Sequence, residues 1–214
     1  MVATARRRGE TGPVTRPLRR FTRAELLQHS GAQVDDLAGA DLRLLFVGIN
    51  PGLWTAAVNA HFARPGNRFW PALHRAGITP WLVDASGGMT PDDLAMLRER
   101  GIGITNIASI ASARADQLST EDLRVGAQRL EATVKRLGPQ VVAVLGLTAY
   151  RQALRRPKAL AGRQVERLGG AELWVLPNPS GLNAHETIDS LAAAYAAAAR
   201  AAGLDLSSGS TRQR

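Results

Sequence analysis

Short apolar runs alternate with amphipathic stretches along most of the chain. Leu42 to Val47 is nearly continuous apolar sequence ending at Gly48, the pattern of a strand buried on both faces. Ile102 to Ile107 reads as a strand or extended segment, Val141 to Leu145 as a second buried strand closed by Gly146, and Glu172 to Leu176 as a third. Helices fall between them. Asn67 is placed to cap a helix through Arg68, Phe69 and Trp70 to about Ala76, with Gly77 as its stop. Thr90-Pro91-Asp92-Asp93 combines a cap residue with Pro in the first turn. Ser119-Thr120-Glu121-Asp122 opens a helix whose Leu123, Ala127, Leu130, Val134 and Leu137 fall on one face, and Gly138-Pro139 ends it. Further helices are expected around Leu147 to Leu154 and over the alanine-rich stretch Glu186 to Ala202.

This alternation implies an α/β fold, a parallel sheet with helices on both faces. In such folds ligands sit outside the C-terminal ends of the strands. Two irregular segments leave strands there, Gly48–Asn67 and Pro177–His185. Topology alone makes them candidate walls of one site.

Charge adds a partner class. The 214 residues carry 27 Lys and Arg against 18 Asp and Glu, a net charge of +9. A basic balance suits a polyanion such as nucleic acid, and equally suits solubility in an arginine-rich proteome. Residues 1–20 hold six Arg and one Glu and lack apolar periodicity, so they read as a disordered basic arm. Residues 21–203 read as one domain and residues 204–214 as a flexible tail. No apolar run is long enough to span a membrane, and no apolar stretch follows Arg6-Arg7-Arg8 as a signal peptide requires, so a cytoplasmic location is expected, beside the nucleoid in a bacterium.

The absence of cysteine excludes disulfides, thiolate metal sites and cysteine nucleophiles. His29, His61, His74 and His185 lack zinc spacing, and there is no phosphate-binding GxxxxGK[ST], GxGxxG or GxSxG, so no metal or cofactor is expected. Asp92-Asp93 and Glu121-Asp122 are explained by helix starts, and Asp116 by a solvated loop, with an auxiliary base as its alternative.

The first segment places Asn50 among Gly48, Pro51 and Gly52. A carboxamide accepts and donates hydrogen bonds but is no strong base. It can orient a water rather than deprotonate it, which suits a reaction whose leaving group departs early, such as glycosidic cleavage. A strand-exit turn accounts for the same residues, and spacing alone favours that turn. An aromatic among Phe62, Phe69 and Trp70 could stack on a flat base, or all three could be core, which is the better reading for Phe69 and Trp70. His61 reads as a proton carrier or, more commonly for a lone histidine, as a surface residue. In the second segment, Asn178-Pro179-Ser180-Gly181-Leu182-Asn183-Ala184-His185, Leu182 sits at a loop tip. It is either a wedge for a base stack or a staple packed on the following helix.

Together the segments resemble a family. Gly-Ile-Asn-Pro-Gly-Leu at 48–53 with Pro-Gly-Asn-Arg-Phe-Trp at 65–70 is similar to the first motif of the mismatch-specific uracil-DNA glycosylases, the branch that includes the thymine-DNA glycosylases. Gly-Ile-Gly-Ile-Thr-Asn at 101–106 resembles that family's central segment, and Leu-Pro-Asn-Pro-Ser-Gly-Leu at 176–182 its DNA-insertion motif. The resemblance spans about residues 42–200. It implies a three-layer α/β/α sandwich around a short, mainly parallel sheet. It also implies a monofunctional, cofactor-free, monomeric glycosylase that hydrolyses uracil, and adducts such as ethenocytosine, from G-mismatched double-stranded DNA.

On that resemblance Asn50 positions the attacking water. Phe62 stacks on the flipped base, and backbone groups of Ile49 and Phe62 read its edge, with Thr55, His61 and Asn67 completing the pocket. Leu182 fills the gap left by the flipped nucleotide, while Gly181, Asn183 and His185 contact the widowed guanine strand. Gly48, Pro51, Gly52, Asn178, Pro179 and Ser180 support the two loops. Ala184 stands where some bacterial members carry Arg, and Thr55 where thymine-acting members carry Ala. With no carboxylate base, slow turnover is expected. The competing readings are a preference for hypoxanthine or single-stranded uracil, a non-catalytic mismatch binder, and a plain α/β binding protein.

Overall fold

A computed structural model describes residues 20–114 and 117–206. A five-stranded sheet runs in the order β2-β1-β3-β5-β4. Its strands are β1 (Leu44–Gly48), β2 (Ile102–Asn106), β3 (Val141–Leu145), β4 (Gly162–Leu168) and β5 (Ala171–Leu176). β2, β1, β3 and β5 are parallel, and β4 runs antiparallel to β5 at the edge. The expected mainly parallel sandwich is therefore what the chain forms. Its helices are α1 (Arg23–Leu27), α2 (Leu53–Val58), α3 (Phe69–Arg75), α4 (Pro91–Glu99), α5 (Thr120–Leu137), α6 (Leu147–Ala153) and α7 (Ile188–Ala201).

Every residue of β1, β2 and β3 is buried, as parallel strands covered on both faces must be. Side-chain alternation sends Leu44 and Phe46 into a core with residues of α3, α4 and α7, and sends Leu45 and Val47 into a second core with α5 and α6. The helix starts follow local chemistry. Thr90, Ser119 and Thr187 each accept a hydrogen bond from the backbone N–H of the third helical residue, whose own side chain accepts one from the backbone N–H of the cap. Gly138 ends α5 in the left-handed conformation.

Four features depart from the sequence expectation, the first being the short helix α1, for which no element was expected. The segment 48–67 contains the short helix α2, which buries Leu53 and Thr55 and ends on left-handed Asn59. β4 pairs through a two-residue Gly169-Gly170 hairpin, both glycines at positive φ. It lacks a continuous apolar run because it is a half-exposed edge strand. The packed chain also continues beyond the boundary expected at residue 203. Leu204 is 5% exposed in the core beside α7, and Leu206 packs against that core. Most of the expected tails, together with Asp116, lie outside the described residues.

The C-terminal ends of β1, β2, β3 and β5 point the same way, so the segments that follow them share one rim. No helix of the described residues is long and apolar enough to cross a membrane.

Candidate active site

A cavity of about 170 Å³ opens at that rim, lined among others by Gly48, Ile49, Asn50, Thr55, His61 and Phe62. Pro51, Gly52, Asn67, Asn178 and Ser180 also reach it. The fold thus brings the strand-exit turn, the pocket aromatic and the start of the second loop into one site.

Asn50 has a defined orientation. Its Nδ2 donates to the Ser112 hydroxyl at 2.8 Å and to the Pro51 carbonyl at 3.0 Å. Ser112 Oγ donates its own proton to the Arg114 carbonyl at 2.8 Å, so toward Asn50 it can only accept. The amide NH2 is therefore committed to protein. Asn50 Oδ1 takes no hydrogen bond from the described residues and remains an acceptor at the cavity wall. Ser112 went unnoticed in the sequence because nothing local links it to Asn50, 62 residues away.

Phe62 adopts φ 54, a left-handed conformation rare for a bulky residue. One face of its ring stacks on Phe69 at 4.0 Å between centroids and 25° between planes. Phe69 is fully buried and Trp70 is 3% exposed, as expected of core aromatics. Trp70 Nε1 donates to the His61 carbonyl at 3.0 Å, which fixes the backbone just before Phe62. The Ile49 carbonyl accepts from Ala108 N at 2.9 Å, which ties the strand-exit turn to the segment after β2.

His61 is not a surface residue: it is 4% exposed. Its Nε2 lies 2.9 Å from the Asp35 carbonyl, which can only accept, so Nε2 carries the proton. Nδ1 then accepts from Asn106 Nδ2 at 3.4 Å. Burial pushes the His61 pKa below its ordinary value of 6.5, and the Asp35 carbonyl and the Asp36 and Asp35 carboxylates offset only part of that shift. His61 is thus a neutral strut, not a proton carrier in contact with solvent. Asn106, 7% exposed at the end of β2, is the other pocket residue the sequence did not single out. With its NH2 turned to His61, its Oδ1 lies against Gly48.

The His61 shift carries a pH signature. Unfolded chains bind a proton on this residue near 6.5 while the folded chain resists it. Its contribution to stability is therefore complete above 6.5, declines as pH falls below that value, and levels off once pH passes the folded value. We expect the urea midpoint of the wild type to fall more steeply on acidification than that of a His61→Gln variant. Parallel profiles would reject the buried neutral state.

The second loop is held by the first. Arg68, just before α3, donates from Nη1 to the Glu186 carbonyl, and from Nη2 to the Ser180 and Asn183 carbonyls, the last at 2.8 Å. Its backbone N–H donates to the Pro179 carbonyl at 3.0 Å. At Gly181 an added Cβ would stand 2.8 Å from the Gly66 carbonyl, so the loops touch where only glycine fits. α3 starts one residue later than expected, with Arg68 as its N-cap and no side-chain cap; Asn67 Oδ1 instead accepts from Phe69 N at 2.9 Å, a turn contact just before the helix. Asn183 Nδ2 donates to the Asn178 carbonyl at 3.1 Å, and Asn178 Oδ1 accepts from Ser180 N at 2.9 Å. On this braced loop Leu182 is 85% exposed, which rules out a staple on α7. His185 is exposed as well, on the same loop. Among the described residues no group of three or more His, Cys, Asp or Glu is placed to hold a metal ion.

Comparison with known proteins bears on the fold and the family. The sequence model of the uracil DNA glycosylase superfamily matches residues 36–199. Among solved structures, the chain is similar to the solution NMR structure of a candidate uracil DNA glycosylase from Methanosarcina acetivorans. The TM-score is 0.54 and the identity 16%, over 79% of this chain and 96% of that one. At that identity the likeness is one of fold.

Proposed function

The chain belongs to the uracil DNA glycosylase superfamily, and on that premise we propose that it flips uracil out of G-mismatched double-stranded DNA and hydrolyses its N-glycosidic bond. Membership implies a DNA glycosylase acting on DNA. The mismatch preference and the residue roles are our reading. The observation that carries it is the pairing of an uncommitted acceptor, Oδ1 of the half-buried Asn50, with an exposed apolar tip, Leu182, on two mutually braced loops.

Flipping a base costs a few kcal/mol and is easiest at a mismatch. Leu182 would enter the vacated stack and offset part of that cost. The base would slide over Phe62, whose other face is backed by Phe69, for about 1–3 kcal/mol of stacking. The Ile49 and Phe62 amides and Asn106 Oδ1 would meet its polar edge, in a pocket that Thr55 also lines. Asn50 Oδ1 would accept a hydrogen bond from the water that attacks the sugar as the base leaves. Among the described residues no carboxylate lines the cavity, so departure of the base would lead and turnover would be slow. The chain's two lysines, Lys135 on α5 and Lys158 after α6, stand outside the cavity lining, which favours hydrolysis over a Schiff base with the sugar. The protein would act as a monomer on cytoplasmic or nucleoid DNA, with no cofactor.

The test is purified protein on labelled U:G, T:G, ethenocytosine, hypoxanthine and single-stranded uracil substrates. Abasic product from U:G ahead of the others is expected. Its absence overturns the reading, and another order of substrates replaces the preference. Leu182→Ala provides a second check. Burying a leucine is worth about 1.5–3 kcal/mol, so kcat/KM should fall about tenfold or more, and further on U:A than on U:G. The melting temperature should stay unchanged, because the side chain is 85% exposed. Equal losses on both substrates would remove the wedge role.

A further inference from the structure

The folded domain's positive charge is concentrated in one segment. Residues 151–167 carry Arg151, Arg155, Arg156, Lys158, Arg163 and Arg167 against Glu166 alone, a net of +5. With residues 1–20 also at net +5, the remainder of the chain holds fifteen cations and sixteen carboxylates and nets −1. We propose that this segment, from the end of α6 through β4, is a second contact surface for the phosphate backbone of duplex DNA flanking the flipped base. The inference rests on DNA being the substrate.

Geometry connects the segment to the site. A groove of about 580 Å³ has Leu182, Asn183 and His185 on one side and Leu147, Thr148 and Ala161 on the other. Ile49 lines both this groove and the catalytic cavity. The groove therefore leads from the cavity, past the wedge loop, to the connection between α6 and β4. Three strand spacings separate β1 from β4 in the sheet, about 14 Å, or the rise of about four base pairs. Gly162 pairs with Val175 near the rim, whereas Arg167 pairs with Glu172 at the far end of β5, so the part a duplex centred on Leu182 would meet within half a helical turn is the α6–β4 connection and the start of β4.

The cations are presented, not consumed. Arg155, Arg156, Lys158, Arg163 and Arg167 are all exposed. Arg156 pairs with Glu166 at 3.1 Å and Arg163 with Glu172 at 2.8 Å, while Arg155 and Lys158 have no acidic partner among the described residues. Arg151 donates from Nε and Nη2 to the Ala159 carbonyl at 3.0 and 2.7 Å, pinning the connection against α6. Arg155 turns the chain there with a left-handed backbone, φ 55. Protection of a sheet edge is the plainer explanation for charge on β4. The connection itself, with Arg155, Arg156 and Lys158, lies alongside Gln164 and Glu166 of that edge strand, so covering the edge needs one ion pair, Arg156 to Glu166, and leaves the charges of Arg155 and Lys158 without an acidic partner among the described residues. The edge is already interrupted by the register shift between Arg163 and Arg167.

The test uses the full chain with Arg155→Gln and Lys158→Gln together, and as control Arg98→Gln with Arg200→Gln, exposed positions on α4 and α7 across the sheet. Affinity for a labelled undamaged duplex is measured against salt concentration. Each lost phosphate contact should lower the log–log slope by about 0.9, so the double variant should lose about 1.8. The control should keep the wild-type slope, and the single-turnover excision rate at saturating enzyme should stay within twofold. A wild-type slope in the double variant, or an equal drop in the control, overturns the proposal. An unchanged slope with lost retention on polyglutamate overturns it in favour of an acidic protein partner. A lowered slope in a protein that leaves no abasic product keeps this surface and rejects only the excision reading.

Discussion

Replacing Asn50 with Ala should slow single-turnover excision by about 100- to 1000-fold while leaving DNA affinity within a few-fold. The amide is held from behind, with both protons on Ser112 and Pro51, so its oxygen faces the cavity at no further cost in ordering. Alanine removes the acceptor that would orient the water, and nothing in the lining replaces it. Neither Leu182 nor the Arg68 clamp touches Asn50, so flipping and affinity should survive. Asn50→Asp tells orientation from basicity. A carboxylate keeps the acceptor and adds proton-accepting power, but loses both donors to the loop, so it should cleave faster than the Ala variant. Single-turnover rates with a U:G duplex, alongside its dissociation constant, decide the matter. Near-wild-type cleavage by Asn50→Ala would remove Asn50 from the chemistry.

The parts of this site that were legible in the sequence are those in which one short segment carries its own message. β1 reads as buried because Leu44, Leu45, Phe46 and Val47 are apolar without alternation, and the turn after it reads as tight because Gly48, Pro51 and Gly52 crowd Asn50. Long-range hydrogen bonding was not legible. Ser112 fixes Asn50 across 62 residues, Arg68 grips carbonyls of the second loop across more than 100, and Asn106 meets His61 across 45. None of these partners has a sequence neighbour that announces it. His61 illustrates the consequence. As a lone histidine in a loop it suggests a surface or proton-carrying role, whereas the Asp35 carbonyl and the burial that come with the fold make it neutral and structural. β4 and α1 were within reach of local reading: Gly169-Gly170 is a hairpin turn signal, and Thr22 with Glu25 forms a capping box.

Gly48→Ala should abolish most excision without unfolding the protein. The end of β1 is extended there, so alanine suits the backbone, and only the methyl group matters. That methyl would stand 2.4 Å from Asn106 Oδ1 and 3.3 Å from Phe62 Cζ. Neither neighbour yields easily. Asn106 is buried and tied to His61, and Phe62 is stacked on the fully buried Phe69. The packing strain should cost about 1–3 kcal/mol of stability, a loss that a domain of this size survives. The effect on the reaction is larger, because the methyl occupies the floor on which a flipped base must lie and displaces the acceptor expected to read it. Misplacement by about 1 Å can cost about 100-fold in rate, and outright blockage more. The expected result is a folded protein, cooperative in thermal melts, that binds undamaged duplex like the wild type and leaves almost no abasic product. Cleavage by Gly48→Ala at near the wild-type rate would mean that the base does not enter between Asn106 and Phe62, and the pocket would have to be sought elsewhere along the rim.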